Sequence, residues 1–400
     1  MRLQLAMRFE VKIENHQRLE QFLNRVNTLR HWNLYNEEQQ TLSPQDRSWV
    51  VKISYLALLK HIAIGGNWYV DRNFLFLQKN DWQDKEYYKA YNKARSPKYL
   101  MNRFRKIISI AFGMRDNINM WSKNFIVNDR FVEKTEQGDL STKIWQGVAS
   151  YLASEIDNVF FLLPYDEVKR QISRQVRGNN QQDPFNQNWK WKRRPDLVGF
   201  YLHEGVPSPI VIEAKGYSNK PSDTQINNWK IQAASSGIQV PYSVVAATYH
   251  LYDPDTSPKC LYKDPETLPG YELTNKDYAR LLNVYYQPFK DLVKNFKFLL
   301  QEKEIQGVEY YVLNLGKILS EIPYVYNLLK CLDYQYPHLD YHYYRNCFSF
   351  ISQHNLYLRK DFLYADWTNK IDFSLFKKHY KIQEPNLYID NDWIWFGIED

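Results

Sequence analysis

Cysteine is scarce in this chain: three in 400 residues, Cys260, Cys331 and Cys347. Three cysteines build no disulfide framework and suit a reducing compartment. Glycine is also thin, with 14 in all. None of them falls in a Walker lysine loop, a Gly-x-Gly-x-x-Gly turn or a Gly-x-Ser-x-Gly elbow. A nucleotide cofactor and an elbow-type serine nucleophile are therefore not expected. No apolar run is long enough to cross a membrane without charges, and the opening MRLQLAMRFE lacks the apolar core of a secretory leader. The expectation is a soluble, cytoplasmic protein with no membrane partner and no internal repeat. What the chain does have is a basic excess, +7 with a pI near 8.9, and 16% aromatic residues, among them 32 tyrosines. Such a balance suits a polyanionic partner, while tyrosine serves cores, interfaces and base stacking alike.

The most informative stretch is Arg194 to Tyr217, RPDLVGFYLHEGVPSPIVIEAKGY. Leu197 to Leu202 is rich in β-favouring residues, and Ile210-Val211-Ile212 is a compact apolar run; Gly205, Pro207 and Pro209 punctuate the turn between them. Side chains alternate across a strand, so Glu213 and Lys215 share one face and Ala214 takes the other. If the two strands pair as a hairpin, Asp196 comes beside Glu213. Two carboxylates and an ammonium then converge at the edge of an apolar sheet, where burial without a ligand is costly. A hard, oxygen-seeking cation such as Mg²⁺ offsets the carboxylate charges.

Pro195-Asp196 followed by Glu213-Ala214-Lys215 resembles the PD-(D/E)XK motif of the restriction-endonuclease-like nucleases. The resemblance covers roughly the middle third of the chain. Thr142 to Glu155 reads as a helix and Val159 to Leu163 as a strand before the motif. After it, Ser222-Asp223-Thr224-Gln225 is a capping box opening a helix that can run to Gly237, and Tyr242 to Tyr249 reads as a strand. The order helix, strand, strand, strand, helix, strand is similar to the αβββαβ core of that family. The expected fold class is α/β, α+β overall: such a core with a mixed central sheet at 126–255, a mainly helical region at 1–125 and a Tyr-rich, helix-rich region at 256–400.

In the N-terminal region, Asn15 to Trp32 has amphipathic spacing, Ser43-Pro44 opens a predicted helix ending at Gly65-Gly66, and Ser96-Pro97 opens another that carries Lys98, Arg103, Arg105 and Lys106. Between Pro164 and Asp196 a long polar segment reads as a loop. Its Lys169, Arg170, Arg174, Arg177, Lys190, Lys192, Arg193 and Arg194 are interleaved with Trp189 and Trp191. Lys190, Lys192, Arg193 and Arg194, next to the motif, are the expected nucleic-acid contacts. Beyond Asp253-Pro254 the chain turns to loop. Residues 274–302 form a long helical pattern interrupted by Pro288, and Val308 to Leu315 has strand character. Cys331, His338, His342 and Cys347 match no standard zinc spacing. His342, Asn346 and His354 lack the hairpin and helix of an HNH nuclease.

The resemblance implies a Mg²⁺-dependent endodeoxyribonuclease, with Mn²⁺ as a substitute. Asp196 and Glu213 hold the metal, with the Ala214 backbone carbonyl as a further ligand, and Lys215 completes the catalytic set. Gln146, on the first helix where the family often carries an acidic residue or glutamine, and Gln225, on the helix after Lys215, are candidate supporting positions. Double-stranded DNA is the implied partner, a homodimer the implied assembly, and 5′-phosphate and 3′-hydroxyl ends the implied products. The flanking regions point to a type II restriction or defence enzyme. A structure- or end-specific repair or recombination nuclease, and a non-catalytic nucleic-acid-binding protein, are the alternative readings.

Overall fold

The computed structural model describes residues 6–14, 19–26, 32–34, 47–64, 134–178, 185, 194–250, 258–264, 269–320, 353–367, 376 and 386–398. The chain divides into two compact units. Met1–Tyr69, Gly113–Leu281 and Ile371–Leu375 form one; Val70–Phe112, Leu282–Lys370 and Phe376–Asp400 form the other.

The first unit is mixed α/β. Its elements are β1 (Ala6–Glu14), α1 (Leu19–Val26), β2 (Trp32–Leu34), β3 (Ser48–Ser54), α2 (Tyr55–Ile64), α3 (Lys134–Asp157), β4 (Phe161–Pro164), α4 (Tyr165–Gly178), β5 (Leu197–His203), β6 (Val206–Tyr217), α5 (Asp223–Ala234), β7 (Ser243–Tyr249) and β8 (Lys259–Lys263). The first turns of α6 (Asn275–Asn295) also belong here. Eight strands make one mixed sheet in the order β2-β3-β1-β8-β7-β6-β5-β4. β4, β5 and β6 are antiparallel neighbours, β6 and β7 are parallel, and β7 and β8 antiparallel.

The helix–strand–strand–strand–helix–strand order expected for the middle of the chain is present as α3, β4, β5, β6, α5 and β7. Other expectations are corrected. In its described residues the N-terminal region is three strands and two short helices, not mainly helical. β1 runs parallel to β8, from beyond residue 255, and cross-strand pairs Lys259–Glu10 (3.0 Å) and Lys263–Glu14 (2.7 Å) accompany the register. The helix expected from Ser43-Pro44 starts only at Tyr55. Ser54 caps it, its Oγ accepting the Ala57 N–H at 3.2 Å. Before it, Trp49, Val50, Val51 and Ile53 are buried in β3, where β-branched side chains pack on a pleated surface.

The polar segment after Pro164 is not loop throughout either, because its first fourteen residues are α4. Val168, Ile172 and Val176, four apart, are buried, while Arg170 and Arg174 face water. A single apolar residue per turn was enough to seat this helix, with Asp166 and Glu167 in its first turn where the helix dipole favours negative charge. The expected capping box is present at α5: the Gln225 N–H donates to Ser222 Oγ (3.3 Å) and the Ser222 N–H to Gln225 Oε1 (2.8 Å).

In the second unit, β9 (Gln301–Ile305), β10 (Val308–Asn314), α7 (Leu315–Ser320), β11 (His354–Arg359), α8 (Lys360–Tyr364), β12 (Leu387–Tyr388) and β13 (Ile394–Ile398) follow α6. The strands form an antiparallel sheet, β12-β13-β11-β10-β9, so the described part of this region is richer in strand than expected. β10 matches the strand read at Val308 to Leu315. The tyrosines form its core: Tyr285 donates to buried Asp392, and the Tyr286 hydroxyl donates to the Asp392 carbonyl at 2.9 Å. Among the described residues no helix is long and apolar enough to cross a membrane.

Candidate functional site

The β5–β6 hairpin turns on Glu204 and Gly205, both at positive φ (53° and 82°), the geometry of a type I′ turn. The ladder then runs back from His203↔Val206 to Leu197↔Ile212. One step further along that register, Asp196 stands opposite Glu213. Opposed residues of an antiparallel pair share a face, so Asp196, Glu213 and Lys215 all project from the same side. Beyond Ile212, β6 is paired only with β7. Its other edge is free of strand pairing there, and Asp196 occupies it, with Oδ2 accepting the Ala214 N–H at 3.0 Å. The N–H and C=O of one strand residue leave by the same edge, so the Ala214 carbonyl also faces the Asp196 side.

Lys215 Nζ lies 3.5 Å from Asp196 Oδ2 and is ion-paired with Glu213 Oε1. The Glu213 side chain has no exposed surface, whereas Asp196 and Lys215 keep 28% and 25%. The cluster is closed behind Glu213 and open in front. Burial, then the neighbouring Asp196 charge, pushes the Glu213 carboxyl well above the usual range; Lys215 offsets only part of this. Burial also raises Asp196, against the pull of Lys215 and the Ala214 amide. Burial would lower Lys215, but the two carboxylates outweigh it and hold the ammonium above its ordinary value. Neither Glu213 oxygen has a hydrogen-bond partner of normal geometry. The Lys215 ion pair is the main compensation for a carboxylate that burial alone would make costly.

Three contacts brace the chain that delivers Asp196. The Tyr165 N–H, at the start of α4, donates to the Asp196 carbonyl at 3.0 Å. Gln232 Nε2, on α5, donates to the Arg194 carbonyl. Arg194 Nη1 pairs with Asp166 Oδ1 at 2.7 Å. The Tyr165 hydroxyl in turn donates to the Ser236 carbonyl (2.5 Å). Of these braces, Gln232 lies on the helix that the Ser222–Gln225 capping box announced. Tyr165 and Asp166 carried no such signal, since they lay in a segment read as loop.

Gln225 sits in the capping box, its carboxamide oxygen engaged by Ser222. Gln146 is half-buried on α3. That helix lies on the opposite face of β6, because its Trp145 indole fills the space where a Gly216 Cβ would be, 1.2 Å from Nε1. Gly216 and Glu213 differ in parity and so point to opposite sides. Arg194 is exposed and near the cluster, with its charge shared with Asp166. Lys190, Lys192 and Arg193 lie outside the described residues, as do Trp189, Trp191, the Ser96-Pro97 helix, Cys331, His338, His342, Asn346 and Cys347. His354 is buried in β11.

Among the described residues no group of three His, Cys, Asp or Glu side chains is placed to hold a metal ion. Mg²⁺, however, needs only one or two carboxylates, since it keeps several of its waters. Asp196, the buried Glu213 and the Ala214 carbonyl edge fit that donor set. No family model, curated protein or solved structure matches this chain.

Proposed function

We propose that the chain is a Mg²⁺-dependent endonuclease that hydrolyses phosphodiester bonds of double-stranded DNA by the chemistry of the PD-(D/E)XK nucleases. The observation that carries this reading is Glu213, fully buried and short of hydrogen bonds, beside Asp196 and Lys215 at the open end of a strand pair. Two further features support it. The element order α3-β4-β5-β6-α5-β7 and the switch from antiparallel to parallel pairing at β6 suit the αβββαβ core, with α4 inserted after β4. The basic excess of the chain suits a polyanionic substrate.

In this reading Asp196 and Glu213 hold the ion, with the Ala214 carbonyl as a third oxygen. A Mg²⁺ held there would supply Lewis-acid polarisation of the phosphodiester and a lowered pKa for water. Lys215, kept as an ammonium by two carboxylates, orients the attacking water and stabilises charge on the attacked phosphate rather than accepting a proton. In-line attack on phosphorus forms the new P–O bond and breaks P–O3′. The proton of the attacking water passes to solvent and the leaving oxygen takes one up, giving 5′-phosphate and 3′-hydroxyl ends. The Gln232, Tyr165 and Arg194 contacts hold Asp196 in register for this work.

The test is cleavage of methylated and unmethylated plasmid and phage DNA with Mg²⁺ or Mn²⁺, beside Lys215→Ala. Discrete bands that need the cation, with a rate loss of about 100-fold or more in the variant, are expected for a site-specific restriction or defence enzyme. Cutting at ends or branched structures only would shift the reading to a repair nuclease. DNA binding without any cleavage would refute catalysis.

A further inference from the structure

The strand that bears Glu213 and Lys215 ends in an aromatic residue. Tyr217 lies two residues past Lys215, so its side chain leaves from the same face. Two residues of strand advance about 6.6 Å, which is about two base steps at the ~3.4 Å per nucleotide of a stacked strand. The Tyr217 ring rests on Trp229 of α5, with centroids 5.2 Å apart and planes at 55°. Trp229 is buried in a cluster with Ala233, Val245, Ala247 and Leu261, so the floor beneath Tyr217 is packed. The backbone just beyond is tied down, since the His250 N–H donates to the Ser218 carbonyl at 3.2 Å. The neighbouring strand sets Tyr249 beside Tyr217 in register. Yet Tyr217 itself is 39% exposed. A side chain needed only to cover Trp229 requires no aromatic ring and no open face.

We propose that Tyr217, backed by Trp229, is a stacking shelf for a nucleobase within two base steps of the scissile phosphate. The proposal rests on the nuclease reading and adds a substrate contact to it. Stacking uses the π face that every base has, so the shelf holds a nucleotide in place without reading its identity. With Lys215 on the phosphate and Tyr217 on a base, the nucleotide is gripped at two points along one strand. This orients the P–O3′ bond relative to Asp196 and Glu213.

Three full-length variants test it: Tyr217→Phe keeps the ring, Tyr217→Leu keeps an apolar cover over Trp229 without a ring, and Tyr217→Ala removes both. The first probe is Mg²⁺-dependent cleavage of supercoiled plasmid. The Phe variant is expected to retain the wild-type KM, and the Leu and Ala variants to raise it by roughly 5- to 150-fold. The second probe is a duplex oligonucleotide carrying 2-aminopurine at each position within two base steps of the mapped cut. It is bound with Mg²⁺ in a Lys215→Ala background, and quenching is read before the slowed cleavage consumes the probe. Quenching at one position, kept by Phe and lost with Leu and Ala, is expected. If Leu and Ala lower only the thermal midpoint, with KM and quenching unchanged, Tyr217 is a cover for Trp229 and the shelf is wrong. If the unsubstituted protein cuts plasmid but the Lys215→Ala form with Tyr217 intact quenches no 2-aminopurine, the shelf fails and the nuclease reading stands. If it neither cuts nor binds DNA, the nuclease reading fails and the shelf with it.

Discussion

Gly216→Ala is the smallest change predicted to disturb the candidate site from behind. A Cβ at this position would lie 1.2 Å from Trp145 Nε1, 1.7 Å from Cδ1 and 1.9 Å from Cε2. No rotamer adjustment of a few tenths of an ångström relieves such an overlap, so the indole must leave its place. Trp145 is buried, with 5% of its surface exposed. Truncating a buried Trp costs about 3–5 kcal/mol, and evicting it should cost a similar amount, about 3 kcal/mol. For a unit of this size that corresponds to a fall in thermal midpoint of roughly 6–12 °C. Trp145→Ala supplies the control. In a Trp145→Ala background the added methyl enters vacated space, so Gly216→Ala should cost at most about 1 kcal/mol there. The double-mutant cycle should therefore show a coupling of about 2 kcal/mol or more. Unfolding of the four proteins is followed by far-UV circular dichroism, since the chain's 12 tryptophans blur a fluorescence signal. A fall of under ~2 °C on the native background, or equal falls on both, would refute this packing of α3 on β6.

Glu213 predicts a pH signature. Its folded-state pKa is raised above the ordinary 4.5, first by burial and then by Asp196. The folded form therefore holds more protons than the unfolded one, so stability falls as pH rises from about 4.5 through the raised value. Asp196, raised by burial, acts in the same direction. In EDTA, the thermal midpoint of the native protein minus that of Glu213→Gln should decline with rising pH, and Mg²⁺ should flatten the decline; a flat difference without Mg²⁺ would contradict the burial described. Gln232→Ala, which frees the Arg194 carbonyl, should weaken Mn²⁺ binding about 10-fold by calorimetry. Gln225→Ala should leave Mn²⁺ affinity alone and lower stability by about 1 kcal/mol through the lost cap. Equal cation affinity in both variants would dismiss the brace. Asp157, at the end of α3, accepts the hydroxyls of Tyr242 (2.8 Å) and Tyr262 (2.5 Å) in the core. Asp157→Ala strands two buried hydroxyls and should cost about 2–6 kcal/mol in urea unfolding, while Asp157→Asn, which keeps one acceptor oxygen, should cost less.

The local signals were legible because their physics acts over a few residues. Alternation put Glu213 and Lys215 on one face. The Ser222 and Gln225 pair announced α5. Gly205 marked the turn that, with pairing, brings Asp196 opposite Glu213. Where two local signals competed, the sequence was ambiguous. Ser43-Pro44 has the form of a helix start, yet the β-branched run at Val50, Val51 and Ile53 lies in a strand because β1 is there to pair with it. α4 shows the same limit, since Val168, Ile172 and Val176 make a helix only once a sheet receives their one apolar stripe.

By itself, then, the sequence determined the hairpin, the capped helix beside it and the chemical set of two carboxylates and a lysine, all consequences of spacing along a single backbone. Tertiary structure alone decided the rest. Pairing β1 with β8 joined residues about 250 positions apart, and no local rule encodes such a partner. Packing α5 against the sheet brought Gln232 to the Arg194 carbonyl. Closing the sheet face removed Glu213 from water. A carboxylate's charge state depends on what surrounds it rather than on its neighbours in sequence, so only the fold could raise the Glu213 carboxyl above its ordinary range beside Asp196 and Lys215.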